Sequence, residues 1–137
     1  MTGFLIDTNI ISELRKGKRA NKGVIEWFTS NESEAMYLSV LVIGELRRGI
    51  ELIRQRDVSS AQHLEAWLLR LREDFSDRLM DVTEEIAELW GQLGLKQPLP
   101  PIDGLLAATA MYHGFTLVTR NVADVENSPV QLLNPFC

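Results

Sequence analysis

The sequence predicts an α/β fold with a mainly parallel central sheet of about five strands covered by helices. Short apolar runs alternate along the chain with longer segments in which apolar residues recur every three or four positions. Alternating strands and helices build parallel sheets. The composition, 45% hydrophobic and 24% charged, is that of an ordinary globular protein. A length of 137 residues predicts one domain spanning residues 1–137.

The predicted strands are short apolar runs. In chain order they are Phe4–Asp7, Met36–Ser39, Leu79–Val82, Phe115–Thr119 and Val130–Leu133. The predicted helices fill the segments between them. In chain order they are Asn9–Lys16, Lys22–Ser30, Val40–Arg56, Ser60–Phe75, Glu84–Leu95 and Ile102–His113.

Helix boundaries are indicated by residues that favour helix ends. Gly17 closes the first helix, while Ser39 and Thr83 precede the third and fifth helices as N-caps. The sixth helix follows Pro100 and Pro101 and stops at Gly114, a residue type that suits a helix C-terminus. The fourth and fifth helices each place their apolar side chains on one face at spacings of three and four.

Charge and cysteine content limit the classes of function. The net charge of −5 argues at first against a nucleic-acid partner. The single cysteine, Cys137, cannot form an internal disulfide, which favours a reducing cytoplasm. No apolar run approaches the roughly 18 residues of a membrane helix. The start of the chain does not resemble a signal peptide, so no membrane association is expected.

Four acidic residues share an unusual context. Asp7 ends the first predicted strand, Glu45 lies in an apolar part of the third helix, Asp103 lies in the first turn of the sixth helix, and Asp124 follows the fourth strand. Each is at, or within about two turns of, the expected carboxyl end of a strand, which is the ligand-binding edge of a parallel sheet. We therefore predict that the four carboxylates converge on one site.

Each acid also has a simpler interpretation. Asp7 could cap the first helix, although Thr8 and Asn9 are also suitable caps. Glu45 could pair with Arg48, three residues along the same helix. Asp103 could interact with the helix dipole, and Asp124 could be a turn residue. The joint arrangement, rather than any single acid, indicates a site.

Converging carboxylates repel one another unless a cation binds between them. Oxygen ligands without histidine or cysteine suit Mg²⁺, with Mn²⁺ as a plausible substitute. Carboxylate-bound metals hydrolyse phosphodiesters by activating a water and stabilising the leaving oxygen. His63 and His113 are predicted to be structural or solvated, so histidine acid–base catalysis is not expected.

Further polar residues lie next to the acids. Thr8, Thr119 and Asn121 are candidates for orienting the site, whereas Asn9 is interpreted as a turn residue. The stretch RKGKRANK at 15–22 carries five positive charges, and it could contact a phosphate backbone or form a solvated turn. Its candidate RNA contacts are Arg15, Lys16, Lys18, Arg19 and Lys22. Without the four site acids the remaining charge is −5 + 4 = −1, so nucleic acid is not excluded.

Four motifs, taken in order, resemble the PIN-domain family, in particular the VapC/FitB-like toxin ribonucleases of bacterial toxin–antitoxin pairs. They are LIDTNIISEL, LSVLVIGELRRGI, PPIDGLLAATAMYHG and TLVTRNVADVE, and they cover essentially the whole chain. The resemblance implies a small three-layer α/β/α sandwich and a Mg²⁺- or Mn²⁺-dependent endoribonuclease. It also implies a homodimer that a cognate antitoxin inhibits.

The resemblance also implies roles for individual residues. Asp7, Glu45 and Asp103 match the three acids of the family's site, with Asp7 and Asp103 as the expected direct metal ligands. Family members place the fourth acid at the position of Asn121 or of Asp124. Asn121 is neutral here, so Asp124 is the predicted fourth acid and a second metal ion is doubtful.

Two alternatives compete with the nuclease. A phosphorelay receiver-like module would have adjacent acids after the first strand and a lysine after a late strand, whereas this chain has Thr8-Asn9 and Thr119-Arg120-Asn121. A PIN-like domain that binds RNA or protein without catalysis is the second alternative. A partner protein could use an apolar groove formed by Val40–Arg56 and the Trp27-Phe28 face, although Trp27 is expected to pack in the core.

Overall fold

The structure, a computed structural model, describes residues 3–137. Met1 and Thr2 of the predicted domain 1–137 lie outside the described residues. Five strands and seven α-helices alternate along the described part of the chain. The strands are β1 (Phe4–Ile6), β2 (Met36–Ser39), β3 (Leu79–Met80), β4 (Thr116–Val118) and β5 (Leu132–Leu133). The helices are α1 (Thr8–Leu14), α2 (Lys22–Ser30), α3 (Val40–Arg54), α4 (Val58–Asp74), α5 (Glu84–Gly91), α6 (Pro101–His113) and α7 (Val122–Val125).

The sheet confirms the predicted α/β class. Its strand order is β3-β2-β1-β4-β5, and every neighbouring pair is parallel. The chain builds outward from β1 in one direction to β3 and then crosses back to β4 and β5 on the other side. Such a reversal is the topological switch point at which α/β proteins bind ligands, beyond the carboxyl ends of the strands. Here the switch point lies between β1 and β4.

The helices form two layers, as the α/β/α prediction requires. Helix α1 contacts α2 and α3, and α3 packs most extensively against α4, whereas α6 contacts α5, α7, β1 and β4. This division follows from right-handed crossovers whose direction reverses after β3. The central strands are buried, with Leu5, Leu38 and Leu117 each at most 1% exposed. No helix within residues 3–137 is long and apolar enough to cross a membrane.

Most predicted elements are present with shorter limits. Strand β2 has the predicted limits, the other four strands are one or two residues shorter, and the fifth helix stops at Gly91 rather than Leu95. Gly94 has a φ of +69°, a left-handed conformation that ends regular helix nearby. The fourth helix begins at Val58, earlier than predicted, because Asp57 caps it through the Ser60 amide at 3.0 Å. The four-residue helix α7 was not predicted.

The helix caps were predicted correctly at three positions. Ser39 accepts a hydrogen bond from the Leu41 amide, and Thr83 accepts one from the Ile86 amide. Gly114 ends α6 with a φ of +72°, in the left-handed region that glycine adopts without strain. These local signals therefore operated independently of the tertiary fold.

Candidate active site

Asp7 lies where the sheet topology predicts a site. It directly follows β1, and its backbone N–H donates to the Val118 carbonyl of β4 at 2.9 Å, so it lies beside the switch point. Its side chain is only 4% exposed. Hydrophobic neighbours on β1, together with this hydrogen bond, fix a carboxylate in a nearly solvent-free position.

Three donors hold the Asp7 carboxylate. The Thr8 N–H donates to Oδ1 at 2.7 Å, the Thr119 hydroxyl donates to Oδ2 at 2.8 Å, and the Asn9 amide donates to Oδ2 at 3.3 Å. The first of these bonds makes Asp7 the N-cap of α1. Of the three possible caps, Asp7 is therefore the one used, because α1 begins at Thr8 itself and the extended residue before it supplies the cap. Capping does not exclude a site role, since the capping bond uses Oδ1, whereas Oδ2 accepts from Thr119, the residue that follows β4.

Burial dominates the ionisation of Asp7. Desolvation raises the pKa of Asp7, and the nearby charge of Glu45 raises it further. The hydrogen bonds from Thr119, Thr8 and Asn9 oppose this rise because they stabilise the ionised form. The net result is a raised pKa for a carboxylate that three hydrogen bonds hold in place.

Glu45 approaches Asp7 through Thr8. The Thr8 hydroxyl donates to Glu45 Oε1 at 2.6 Å, while the Thr8 backbone N–H donates to Asp7. Thr8 thus contacts both the preceding Asp7 carboxylate and the Glu45 carboxylate, which lies 37 positions further along the chain. Glu45 forms no salt bridge with Arg48 or with any other cation of residues 3–137, so the simpler interpretation of Glu45 was wrong.

The pKa of Asp103 is raised by the charges of the other three predicted acids. It lies in the first turn of α6, and burial is the largest cause that raises its pKa to about 6. The charges of Asp7, Asp124 and Glu45 raise the pKa further, in that order. The charges of the other three acids therefore act on Asp103, and we call Asp7, Glu45, Asp103 and Asp124 together the acidic site.

Asp124 and Asn121 occupy different positions relative to the acidic site. Asp124 is exposed in the short helix α7 and affects Asp103 through its charge. The Asn121 backbone N–H donates to the Thr119 hydroxyl at 3.0 Å, and its side chain makes no capping bond. Asp124 is therefore the residue that adds negative charge, whereas Asn121 supports Thr119.

Asn9 has a contact role that its sequence position did not indicate. Its amide donates to both Asp7 Oδ2 and Thr119 Oγ1 at 3.3 Å, and its side-chain oxygen accepts from the Arg120 N–H at 3.1 Å. It therefore connects the ends of β1 and β4 across the switch point. An amide two residues after a strand-end acid was the available signal, but that pattern also occurs in ordinary turns.

The histidines lie away from the acidic site. His63 is exposed on α4, where its Nδ1 pairs with the Ser59 carbonyl. His113 ends α6 near the amino end of β4 and stacks on Phe115, with ring centroids 5.2 Å apart. The acidic site therefore relies on oxygen-bearing side chains.

The basic stretch 15–22 does not form one uniform surface. The Arg15 guanidinium lies over the Trp67 ring at 5.8 Å, and Lys16 pairs with Glu13 at 2.9 Å. Lys18, Arg19 and Lys22 are exposed, the first two in a short 3₁₀ turn. The predicted RNA contacts thus divide into two cations with protein partners and three facing solvent.

The donor set of the acidic site fits a hard divalent cation. Its four acids form no salt bridge with any cation in residues 3–137, whereas Glu13, Glu51 and Glu65 are all paired. Within the same residues, however, no three His, Cys, Asp or Glu side chains are arranged as a metal site. Mg²⁺ often uses only one or two carboxylates and keeps several waters, so two of the four acids would be enough to bind it.

Two neighbouring pockets that share Arg15 and Trp67 lie along α1, and we call them together the groove. Its inner part, about 130 Å³, includes Thr8, Glu45 and Trp67. Its outer part, about 330 Å³, is largely apolar and shares Arg15 and Trp67 with the inner part. The outer lining consists of Ile11, Leu14, Arg15, Phe28, Trp67, Leu71, Asp74 and Phe75. Trp27 itself packs edge-on against Phe4 in the core at 5.4 Å, as expected.

Comparison with known proteins agrees with this architecture. The family model described as PIN domain matches residues 4–123. The chain is 31% identical to Toxin FitB of Neisseria gonorrhoeae over 140 residues, covering 97% of this chain and 98% of the relative. It is 30% identical to VapC ribonuclease Y4jK of Sinorhizobium fredii over 137 residues, covering 97% of each. The crystal structure of FitAcB from N. gonorrhoeae superimposes with a TM-score of 0.88 at 30% identity, covering 96% of this chain and 97% of that one.

Proposed function

This chain belongs to the PIN domain family, and from that premise we propose that it is a Mg²⁺-dependent endoribonuclease, the toxin of a toxin–antitoxin pair. The main support is the acidic site, in which three acids from separate segments raise the pKa of Asp103 and none of the four forms a salt bridge within residues 3–137. The similarity to a VapC ribonuclease and to a FitB toxin supports RNA as the substrate and toxicity as the role.

Asp7 and Asp103 are the proposed direct ligands of Mg²⁺, or of Mn²⁺ in its place. Asp7 is fixed by three donors, and Asp103 has the raised pKa expected of a carboxyl that lacks a positive partner. Glu45 and Asp124 add negative charge and are proposed as water-mediated or secondary ligands. When bound, the cation would supply a water activated for attack and would offset charge on the phosphate.

The chain's own polar residues would orient this set. Thr119 and Asn9 hold Asp7 Oδ2, so the carboxylate keeps one direction as its charge changes. Thr8 keeps Glu45 beside Asp7. Asp103 can lose its proton near neutral pH because its pKa is close to that range. Together these residues would present ionised oxygens without a rearrangement of the backbone.

The proposed reaction is hydrolysis by in-line attack of a water on phosphorus, leaving a 5′-phosphate and a 3′-hydroxyl. The lack of a histidine at the acidic site supports water rather than the RNA's own 2′-hydroxyl as the nucleophile. End-group analysis of the cleaved RNA tests this directly, because a 2′,3′-cyclic phosphate would contradict the mechanism.

Cleavage of total RNA by the purified chain, with Mg²⁺ and then with excess EDTA, tests the activity. Asp103→Ala should abolish cleavage. Asp77→Ala is a matched control, since that side chain is 79% exposed and precedes β3, at the other end of the strands. If the chain binds RNA but cleaves it with neither Mg²⁺ nor Mn²⁺, the result would favour a non-catalytic PIN-like domain instead.

The groove beside the acidic site is the proposed docking site for a cognate antitoxin. Its inner end includes Thr8 and Glu45, and its outer end is mostly apolar with an exposed Phe28. An antitoxin segment with apolar side chains and a basic residue would fill the groove and neutralise the acids. We expect Phe28→Asp to weaken that complex without reducing RNA cleavage.

A homodimer is also proposed, by analogy with the family. Large apolar side chains remain exposed on several helices, among them Leu52, Leu69 and Tyr112. Such residues are often covered by a second copy. Light scattering coupled to size exclusion would distinguish a dimer from a monomer of 15.5 kDa.

A further inference from the structure

The last residues of the chain leave the sheet at the edge that carries the acidic site. Strand β5 runs parallel to β4, and the Leu133 carbonyl accepts from the Thr119 N–H at 3.0 Å. The segment Asn134–Cys137, which we call the terminal strap, then turns, with the Phe136 N–H donating to Asn134 Oδ1 at 3.1 Å. The terminal strap therefore begins next to the residue that holds Asp7.

The far end of the strap is anchored on α2. Asn21, the N-cap of α2, donates its amide to the Cys137 carbonyl and accepts from the Cys137 N–H, both at 3.1 Å. Gly23, in the first turn of α2, lies directly under the strap. A Cβ at that position would be 2.2 Å from the Pro135 carbonyl oxygen, so a larger residue would displace the strap. Both ends of the strap are thus fixed by specific contacts.

Between these anchors the strap contacts Arg120. The Arg120 guanidinium lies over the Phe136 ring at 4.5 Å from the ring centroid. The Arg120 backbone N–H donates to Asn9, which itself contacts Asp7. Phe136 is half-buried, so the ring is a stable support for a side chain that is exposed.

Arg120 has no carboxylate partner in residues 3–137 within salt-bridge distance. Glu13 is close enough for the charge of Arg120 to lower the pKa of Glu13, but that carboxylate is occupied by Lys16 and by the Asn21 N–H. The stacked guanidinium therefore keeps its N–H groups for an external anion. Arginine in this state suits a phosphate because it can donate two parallel hydrogen bonds.

We propose that Arg120 binds a backbone phosphate of the RNA substrate beside the acidic site, and that the terminal strap positions it there through Phe136. The proposal rests on the proposed function, since it takes RNA as the substrate. A polyanion approaching four unpaired acids is repelled, so a fixed cation at the rim lowers the electrostatic cost of binding. Arg120 is a binding residue and Phe136 a positioning residue.

The test compares steady-state cleavage of a short single-stranded RNA by full-length variants. Arg120→Ala should raise KM about tenfold with kcat within twofold, the effect of losing one charge-assisted contact made equally in ground and transition states. Phe136→Ala should raise KM in the same way with Arg120 intact, whereas Phe136→Tyr should stay near wild type. Arg70→Ala, an exposed arginine on α4, is the matched charge control.

The salt dependence of RNA binding provides a second measurement, which reports the number of phosphate contacts rather than the stability of the fold. In EDTA, with a fluorescent single-stranded RNA, the slope of log affinity against log salt should fall by about 0.7 in Arg120→Ala. It should be unchanged in Arg70→Ala. A KM and slope equal to wild type in Arg120→Ala would overturn the proposal while leaving the nuclease intact.

Gly23→Ala keeps the proposal testable if Phe136→Ala does not fold. It displaces the strap without altering Arg120 or Phe136, and it should raise KM severalfold at unchanged kcat. Gly91→Ala, where a Cβ would meet no atom within 4 Å, is its control. A wild-type KM in a folded Gly23→Ala variant would refute the strap's role. Absence of both RNA cleavage and RNA binding in the wild-type chain would overturn the nuclease and this proposal together.

Discussion

Thr119→Val removes one hydroxyl from the most constrained contact of the acidic site. That hydroxyl donates to Asp7 Oδ2 at 2.8 Å and accepts from the Asn121 N–H at 3.0 Å and from the Asn9 amide at 3.3 Å. Thr119 is 1% exposed, and valine has nearly the same shape. The substitution therefore changes hydrogen bonding with little change in packing.

The expected loss of folding stability comes from Asp7 rather than from Asn121. Asn121 is exposed, so its N–H can turn to water, whereas Asp7 is 4% exposed and cannot replace the lost donor. A hydrogen bond to a charged group contributes about 1.5–3 kcal/mol. At about 4 °C per kcal/mol for a chain of this size, we expect Tm to fall by roughly 6–12 °C.

The same substitution should weaken the binding of Mg²⁺ at the acidic site. The Thr119 hydrogen bond lowers the pKa of Asp7, so its loss lets burial raise that pKa further. A cation must then displace a more firmly held proton. The Mg²⁺ concentration for half-maximal cleavage should rise, more strongly at pH 6 than at pH 8.

Differential scanning fluorimetry and Mg²⁺ titrations of cleavage measure both effects. Thr119→Ser keeps the hydroxyl and should retain wild-type metal dependence, with a small loss of stability for the missing methyl of about 1 kcal/mol. Thr116→Val is the control on β4, the strand that Thr119 follows, since within residues 3–137 the Thr116 hydroxyl makes one hydrogen bond, a long one to Gln131 at 3.4 Å. If Thr119→Val melts within 2 °C of wild type, the reasoning about the Asp7 hydrogen bond is wrong.

Three further predictions concern the acidic site. Asp7→Asn should abolish cleavage and the stabilisation by Mg²⁺. Its Tm should stay within a few degrees of wild type, because asparagine also caps helices and no buried charge remains. Retained cleavage would contradict the assignment of Asp7 as a metal ligand. With the pKa of Asp103 raised to about 6, the folded state holds a proton that the unfolded chain releases above about 3.8, so this group lowers stability as pH rises from about 4 to 6. In EDTA, the Tm of Asp103→Asn minus the Tm of wild type should therefore increase from about pH 4 to 6. If the two Tm values change in parallel with pH, the raised pKa of Asp103 is refuted. Thr8→Val should free Glu45 and reduce kcat severalfold with Tm changed by under about 4 °C, and equal kcat would remove Thr8 from the site.

The sequence patterns predicted the elements that depend on nearby residues. Apolar runs located all five strands, and the caps Ser39, Thr83 and Gly114 act within one or two turns of their own helix. The ends of elements were less accurate. The fifth helix stops at Gly91, four residues early, and α7 was missed because four residues carry no periodicity.

The predicted convergence of Asp7, Glu45, Asp103 and Asp124 remains a prediction, although the charges of the other three acids each raise the pKa of Asp103. Parallel topology is the basis of that prediction, because residues after different strands meet at one edge. Their roles as ligands and catalysts also remain a prediction. The family resemblance was confirmed by a match over residues 4–123.

The sequence by itself determined the fold class, the family and the edge of the sheet at which the acids lie, because apolar periodicity and motif order are properties of a linear chain. The tertiary structure alone decided that Thr119 holds Asp7, that Asn9 connects β1 to β4, and that Phe136 supports Arg120. These contacts join residues up to 112 positions apart, and their energies depend on burial and direction. Neither quantity exists until the sheet brings the ends of its strands together.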